Sequence, residues 1–301
     1  MLAESVDALE IKSDGVYIDA TFGVGGHSEL ILSRLGESGK LFAYDKDLSA
    51  AELANGAKFQ DNRFVFKHGS FVNFKEDLEK LGYGGKVNGI LFDLGVSSCQ
   101  LDNAERGFSF NKDGPLDMRM NSSDGITAAD WINRASEKEI ADTLYQYGDE
   151  YSSRRIARFI VSERKNLKIT RTLQLANIIA SAKPKRAKGC HPATKTFQAI
   201  RILINNELGD IFSALENSLS VLELGGKLVV LSFHSGEDRI VKHFVRNSSE
   251  GDQSINAKFK SVTKVATADR SETRANPRSR SVKMRVAEKV EMKQGKYSHD
   301  K

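Results

Sequence analysis

The residues best suited to chemistry lie in the N-terminal third, in two short polar runs. The first, Asp19-Ala-Thr-Phe-Gly-Val-Gly-Gly-His-Ser28, closes an apolar stretch with an acid and opens into Gly23, Gly25 and Gly26. Glycines at such a place let the backbone approach a flat ligand and permit φ values that other residues avoid. Asp45 ends the next apolar stretch, where a carboxylate can accept hydrogen bonds from both ribose hydroxyls of a nucleoside cofactor. A tight turn followed by a surface Asp gives the same pattern with no ligand at all. The competing ligand is a nicotinamide dinucleotide, whose Gly-x-Gly-x-x-Gly fingerprint has its third glycine replaced by Ser28 here. A dinucleotide needs a helix N-terminus open to its pyrophosphate. S-adenosylmethionine carries no phosphate, so the pattern favours the methyl donor.

The second run, Asp93-Leu-Gly-Val-Ser-Ser-Cys-Gln100, puts a carboxylate, a flexible Gly, two hydroxyls and an amide into a few residues. That is too polar for a connector, and its acid ends another apolar stretch, at the edge where open α/β sheets bind ligands. Phe71 stands where an adenine rests in such a fold, so its face can stack on the base; a core phenylalanine is an equally good reading. Two histidines are tempting bases. His191, beside a basic loop, reads as structural, whereas His234, ending a buried strand, fits substrate contact and a structural role equally. Arg106, Arg119 and Arg201 suit either phosphate contact or helix-surface salt bridges.

Positioning these groups requires a sheet. Val16–Asp19, 40–44, 64–66 and Val87–Asp93 read as strands, separated by helical stretches through Leu30, Ile31 and Leu35, at 48–57, and around Phe74, Leu78 and Leu81. This alternation predicts an α/β fold, an open, doubly wound, mostly parallel sheet covered on both faces. The rhythm stops near Leu101. After a turn-rich passage come helices at 127–134, 137–145, 152–164 and Thr172–Ala182, with Ser136 and Glu139 forming a capping box and Thr170–Arg171 capping the last. Trp131 and the stripe at 156–161 read as the core of this part. Helices at 194–208, 211–222 and 237–244, a strand at 227–232 after Gly225 and Gly226, and an antiparallel pair at 258–265 and 281–286 around a loose basic loop complete the chain. The expected organisation is a sheet domain, 1–101 with 191–301, interrupted by a helical substrate-recognition subdomain at 102–190.

The net charge is +5, which suits a polyanionic partner. Ten Lys and Arg residues lie between 258 and 289 against three acids, and Lys183, Lys185, Arg186, Lys188 and Lys195 form a second cluster without any acid. Charge alone fits a solvated surface as well as phosphate contact. Apolar runs such as 228–231 are far too short to span a membrane, and the acidic start lacks the features of a secretory signal. Cys99 and Cys190, the two cysteines, make neither a disulfide framework nor a cysteine zinc site, and suit a reducing cytoplasm. No metal is expected.

Several ordered motifs run nearly end to end: the two polar runs, Arg106-Gly-Phe-Ser-Phe110, Asp113-Gly-Pro-Leu-Asp-Met-Arg-Met120, His191-Pro-Ala-Thr-Lys-Thr-Phe-Gln-Ala-Ile-Arg201, Ser232-Phe-His-Ser235, Glu237-Asp-Arg239 and Asn276-Pro-Arg-Ser-Arg280. Together they closely resemble the bacterial RsmH (MraW) family, which methylates the exocyclic N4 of a cytosine in 16S ribosomal RNA. The resemblance implies an S-adenosylmethionine-dependent methyltransferase acting in the cytoplasm on the small ribosomal subunit. It implies Gly25, Gly26 and His27 lining the donor site, Asp45 at the ribose, Phe71 near the adenine, and Asp93 and Gln100 closing the pocket, with the inserted helices helping to form the substrate cleft. Three departures stand out. Family members usually begin with a His-containing hydrophobic segment just ahead of the residues matching 2–9, so the resemblance implies a truncated or misassigned start. Gly236 stands where leucine is usual, and Cys99 where proline is frequent.

A cytosine amino group is a weak nucleophile, because its lone pair is delocalised into the ring, while a methyl sulfonium is a strong electrophile. The protein must therefore align the groups and accept a hydrogen bond from N4, and Asp93 is the candidate catalytic residue. Two other classes compete: a non-catalytic RNA-binding assembly factor, against which Asp45 and Asp93 argue, and a nicotinamide-dependent oxidoreductase, against which Ser28 argues.

Overall fold

Every strand core anticipated from apolar runs forms in the computed structural model of the chain, which describes residues 1–183, 191–247 and 257–292. The strands are β1 (Val16–Asp19), β2 (Lys40–Asp45), β3 (Phe64–His68), β4 (Val87–Asp93), β5 (Leu222–Ser232), β6 (Ala257–Ser261), β7 (Ala266–Thr267) and β8 (Lys283–Glu291). They join in one sheet ordered β3-β2-β1-β4-β5-β8-β6, with β7 also paired to β8. The first five strands are mutually parallel, and β8 runs antiparallel to β5, β6 and β7.

Side chains alternate across this sheet with the period of two that a strand imposes. Ile18, Phe42, Ile90, Leu228 and Val230 enter one core, with residues from the helices Phe74–Lys80, Glu207–Val221 and Ser235–Asn247. Tyr17, Leu41, Ala43, Leu91 and Val229 enter the other, with the helices Leu2–Asp7, Gly26–Arg34 and Leu48–Ala54. Both faces are covered, as a doubly wound sheet requires, and the ends of the parallel strands fall on a single edge.

The details depart from the sequence reading where local chemistry intervenes. The helix expected at 48–57 ends at Ala54, because Asn55 and Gly56 interrupt it before a 3-10 turn at Ala57–Phe59. Gly225 and Gly226 sit in an irregularity of β5 rather than before it, since β4 pairs with Leu222 and then again from Lys227 onward. The loop expected to be loose holds β7, a helix at Arg270–Ala275 capped by Asp269, and a 3-10 turn at Pro277–Ser281.

The chain divides into two compact units: Met1–Gly95 with Leu208–Lys301, and Val96–Glu207. Among the described residues of the second, the regular structure is helical, with helices at Ser98–Asp102, Ala128–Arg134, Glu137–Gly148, Ser153–Glu163, Thr172–Ala182 and Thr194–Asn205. The divisions fall at 95 and 207 instead of 101 and 191. Val96 and Leu101 pack against the helical core, and Ala193, Phe197, Ala199 and Ile200 belong to it. Gly148 makes the second join possible: a Cβ there would lie 2.6 Å from the carbonyl of Lys195, closer than any side chain allows. Ser136 and Glu139 form their capping box. Arg171 provides no side-chain cap for Thr172–Ala182; instead Asp113 accepts from the N–H of Leu173 at 3.1 Å. Ile156 and Ile160 are fully buried in this core, and Trp131 packs against it. Among the described residues no helix is long and apolar enough to cross a membrane.

Candidate active site

The carboxyl ends of β1, β2 and β4 place Asp19, Asp45 and Asp93 along one edge of the sheet. After β1 the chain turns through Gly23 and Gly25, both with positive φ, and enters the helix Gly26–Arg34. The two adjacent glycines serve different ends. A Cβ on Gly25 would come within 2.4 Å of the Phe59 ring and 2.8 Å of Phe22, so this position is required by packing. On Gly26 the nearest atom would be Leu2 Cδ1 at 3.9 Å, so the space beside it is open to a close approach.

His27 begins the helix and points to the end of β4, its Nδ1 lying 3.7 Å from Asp93 Oδ2. Burial lowers the pKa of His27 against the opposing pull of Asp93, keeping the ring neutral at neutral pH. Asp93 is pushed up to about 6, chiefly by burial, with His27 opposing. Its side chain is one-third exposed, yet Oδ1 is buried. Asp93 Oδ1 and His27 Nε2 are both buried without a hydrogen-bond partner among the described residues. Two such atoms fit a ligand that brings its own donors and acceptors.

Asp45 holds the neighbouring turns. Its Oδ2 accepts from Gly23 N–H at 2.7 Å and its Oδ1 from Asp47 N–H at 2.8 Å. Burial raises its pKa, and these two N–H groups oppose the rise. Each oxygen keeps acceptor capacity beyond one backbone N–H, as hydrogen bonding to a ribose demands. Phe71 follows β3 and is half-buried, its ring edge-on to Phe92 at 5.5 Å between centroids. It is part of the core on one side and exposed on the other.

The structure thus gathers Gly25, Gly26, His27, Asp45, Phe71 and Asp93 in one unit. Gln100 belongs to the helical unit, where its Oε1 accepts from Ser97 N–H at 2.9 Å in a capping box. His234 caps the helix Ser235–Asn247: its Nδ1 accepts from the N–H groups of Gly236 at 3.1 Å and Glu237 at 3.4 Å. Its Nε2 lies 3.1 Å from Glu237 Oε1. His191 is structural, stacked on Phe110 at 4.5 Å with its Nδ1 accepting from Ala193 N–H.

The three arginines are engaged internally. Arg106 donates to the carbonyls of Arg119 and Met120, Arg119 grips Asp117 through two nitrogens, and Arg201 grips Glu207 in the same way. Of the acid-free basic cluster, Lys183 pairs with Glu150 and Lys195 donates to the carbonyl of Asp149. Lys185, Arg186, Lys188 and Cys190 lie outside the described residues. Arg274, Arg278 and Arg280 are exposed.

Sequence reasoning gave no role to Asp19 or Thr21. Asp19 is fully buried, accepts from Ser28 Oγ at 2.7 Å and from Thr21 N–H at 3.2 Å, and is raised to about 6 by burial. Thr21 in turn accepts the N–H of Asp93 on Oγ1 at 2.7 Å. The signal was available in the acid that closes β1, with hydroxyls two and nine positions later.

The whole length of this arrangement has counterparts in known proteins. A protein of Shewanella frigidimarina named Ribosomal RNA small subunit methyltransferase H is 49% identical over 304 residues, covering 97% of this chain and 96% of that protein. One of the same name from Coxiella burnetii is 46% identical over 296 residues, covering 95% and 96%. Among solved structures, an rRNA methylase from Streptococcus thermophilus aligns over 96% of this chain and 94% of that one at 10% identity, with a TM-score of 0.39, too low to bear on function. The sequence pattern of the MraW methylase family matches residues 1–290, and the chain belongs to that family.

Proposed function

We propose that this protein transfers the methyl group of S-adenosylmethionine to the exocyclic N4 of a cytosine in the ribosomal RNA of the small subunit, in the cytoplasm. The observation that carries the reading is the end-to-end match to the MraW methylases, with near half of the residues shared with proteins named for small-subunit ribosomal RNA methylation. The edge of the sheet supplies groups that fit the donor. Asp45 accepts from the ribose hydroxyls, the exposed side of Phe71 stacks on the adenine, and the open space beside Gly26 admits the amino-acid end toward His27 and Asp93. Substrate recognition is the role of the helical unit, to which Gln100 belongs.

The donor supplies an electrophilic methyl group, so no metal is needed. Asp93 accepts a hydrogen bond from N4–H, turning the nitrogen lone pair toward the methyl carbon, and its negative charge favours the positive charge that develops on nitrogen. His27, neutral beside it, leaves that carboxylate free to take the proton. A target base must leave its stack to reach such a site, at a cost of about a few kcal/mol unless it is already unpaired. A folded ribosomal particle presents bases of that kind by shape.

A nicotinamide-dependent oxidoreductase is disfavoured further by Ser28, whose hydroxyl is committed to Asp19 inside the core. A non-catalytic assembly factor would have no use for buried, unpartnered polar atoms at the end of β4. The test is mass spectrometry of small-subunit ribosomal RNA nucleosides from cells with and without the gene. Loss of N4-methylated cytidine is expected, and unchanged nucleosides would refute the reading.

A further inference from the structure

We propose that Lys46, Ser70 and Asp210 form a positioning clamp that sets the spacing between Asp45 and Phe71, and through it the affinity for the adenosine end of the methyl donor. The inference rests on the donor reading above. Lys46 directly follows Asp45 in the turn after β2, and Ser70 directly precedes Phe71 in the turn after β3. Asp210 comes from a third element, the helix Glu207–Val221. A single oxygen of Asp210, Oδ2, receives both turns: Lys46 Nζ lies 2.5 Å away and Ser70 Oγ donates at 2.9 Å. The carboxylate is thus the common reference for the two residues that flank the proposed nucleoside.

Each connection is reinforced. Ser70 Oγ also accepts from Val72 N–H at 3.3 Å, fixing the 3-10 turn that carries Phe71. One face of the same helix meets that turn again, where Asn217 Nδ2 donates to the carbonyl of Val72 at 2.9 Å. On the other turn, His68 Nε2 lies 3.0 Å from the carbonyl of Lys46, and Gly69 N–H donates to the carbonyl of Asp45 at 2.7 Å. Asp45 and Phe71 are therefore each held one residue away from a shared charge.

A generic anchor for the helix would need only one of these turns, and it need not place both donors on one oxygen. The ion pair is also sheltered, with Asp210 12% and Lys46 22% exposed, so it is screened less than a surface pair. Residues that lock the supports of a binding group in place act on affinity through preorganisation, without touching the ligand. The clamp should thus govern binding of the adenosine moiety and leave methyl transfer itself unaffected once donor is bound.

The test compares the full chain with Asp210→Asn and Lys46→Met, and uses Asp210→Glu as the conservative rescue. Calorimetry reads the affinity for S-adenosylhomocysteine and for 5′-methylthioadenosine, which lacks the amino-acid end. Asp210→Asn and Lys46→Met should weaken both ligands by the same factor, about tenfold, with Asp210→Glu recovering most of it. Donor KM should rise in step while the donor-saturated rate stays within about threefold. If either folded variant binds both ligands within about twofold of the parent, the clamp is refuted. A loss for S-adenosylhomocysteine that 5′-methylthioadenosine does not share also refutes it, because the damage would then lie at the other end of the donor. Should Asp210→Asn fail to fold, Lys46→Met decides alone. Absence of S-adenosylhomocysteine binding to the parent protein would instead overturn the donor reading, and the clamp with it.

Discussion

The hydroxyl of Thr21 accepts the backbone N–H of Asp93 at 2.7 Å, tying the end of β4 to the turn that follows β1. Because the N–H of Thr21 itself donates to Asp19, the main chain at Asp93 is anchored through Thr21 to a fully buried carboxylate. The main chain that carries Asp93 is thus held at the edge of the sheet, while its Oδ1 is left for a ligand to engage.

Asp93→Asn keeps the shape and removes the charge. The donor-saturated single-turnover rate on small-subunit particles should fall by about 10²–10³, with a smaller change in donor affinity measured separately. The parent rate should also fall as pH drops through about 6, where Asp93 takes up a proton and can no longer accept one. That acid limb should be missing from the residual activity of the variant. Weak donor binding with a normal saturated rate would leave Asp93 a donor ligand only.

Asp19 leads to a stability prediction of unusual sign. Its folded-state pKa is raised to about 6 from an ordinary 3.8. Stability from its protonated form is therefore fully present below about pH 4 and lost as pH rises through 6. Asp19→Asn, whose amide can still accept from Thr21 and donate to Ser28, should make the protein more stable than the parent at pH 8, by up to about 2 kcal/mol. The gain should vanish near pH 4. Urea unfolding at pH 4, 6 and 8 measures this, and a loss of stability at pH 8 would mean the charged carboxylate is needed for the fold.

Gly25→Ala and Gly26→Ala should separate packing from ligand approach. The first forces a Cβ into Phe59 and Phe22 at a positive φ, and should cost about 1–3 kcal/mol in unfolding experiments. The second meets no close neighbour, so it should leave the melting temperature nearly unchanged and weaken S-adenosylhomocysteine binding in calorimetry. Unchanged binding in Gly26→Ala would place the ligand elsewhere along the edge.

Changing Arg274, Arg278 and Arg280 together to Ala should weaken RNA binding and flatten its salt dependence by up to about one unit of slope for each phosphate no longer neutralised. Donor affinity should not move. Binding titrations across a salt series report the slope, and an unaltered slope would mark these arginines as ordinary surface charge.

The alternation of apolar runs made the sheet legible because buried parallel strands have a strong signature: Val16–Asp19 and Val87–Asp93 form with the bounds read from sequence alone. Helix ends were legible where a local cap marks them, as at Ser136 and Glu139. They were illegible where the cap is distant. Asp113 caps a helix that begins at Thr172, and no local pattern reveals a partner so far along the chain. The same limit applied to the site. Asp19, Asp45 and Asp93 were all visible as acids that close strands, whereas the buried hydrogen bond of Asp19 to Ser28, and the contacts of Asp210 with two turns remote from it in sequence, have no local signature. His234 was ambiguous because a histidine ending a strand on the ligand edge has the same sequence context whether its ring faces a substrate or caps the next helix.

The sheet order also imposes a timetable on the nascent chain. β1 to β4 are contiguous in sequence, but the open side of β4 pairs only with β5, and the entire helical unit, Val96–Glu207, is synthesised in between. Until residues 222–232 leave the ribosome, β4 presents a bare row of peptide groups, the template on which foreign strands add. The helical unit, by contrast, draws its core from one uninterrupted stretch and can fold while the sheet waits. Slowing translation between β4 and β5 should therefore promote aggregation, and a chain cut within that interval should aggregate more readily than one cut after β5.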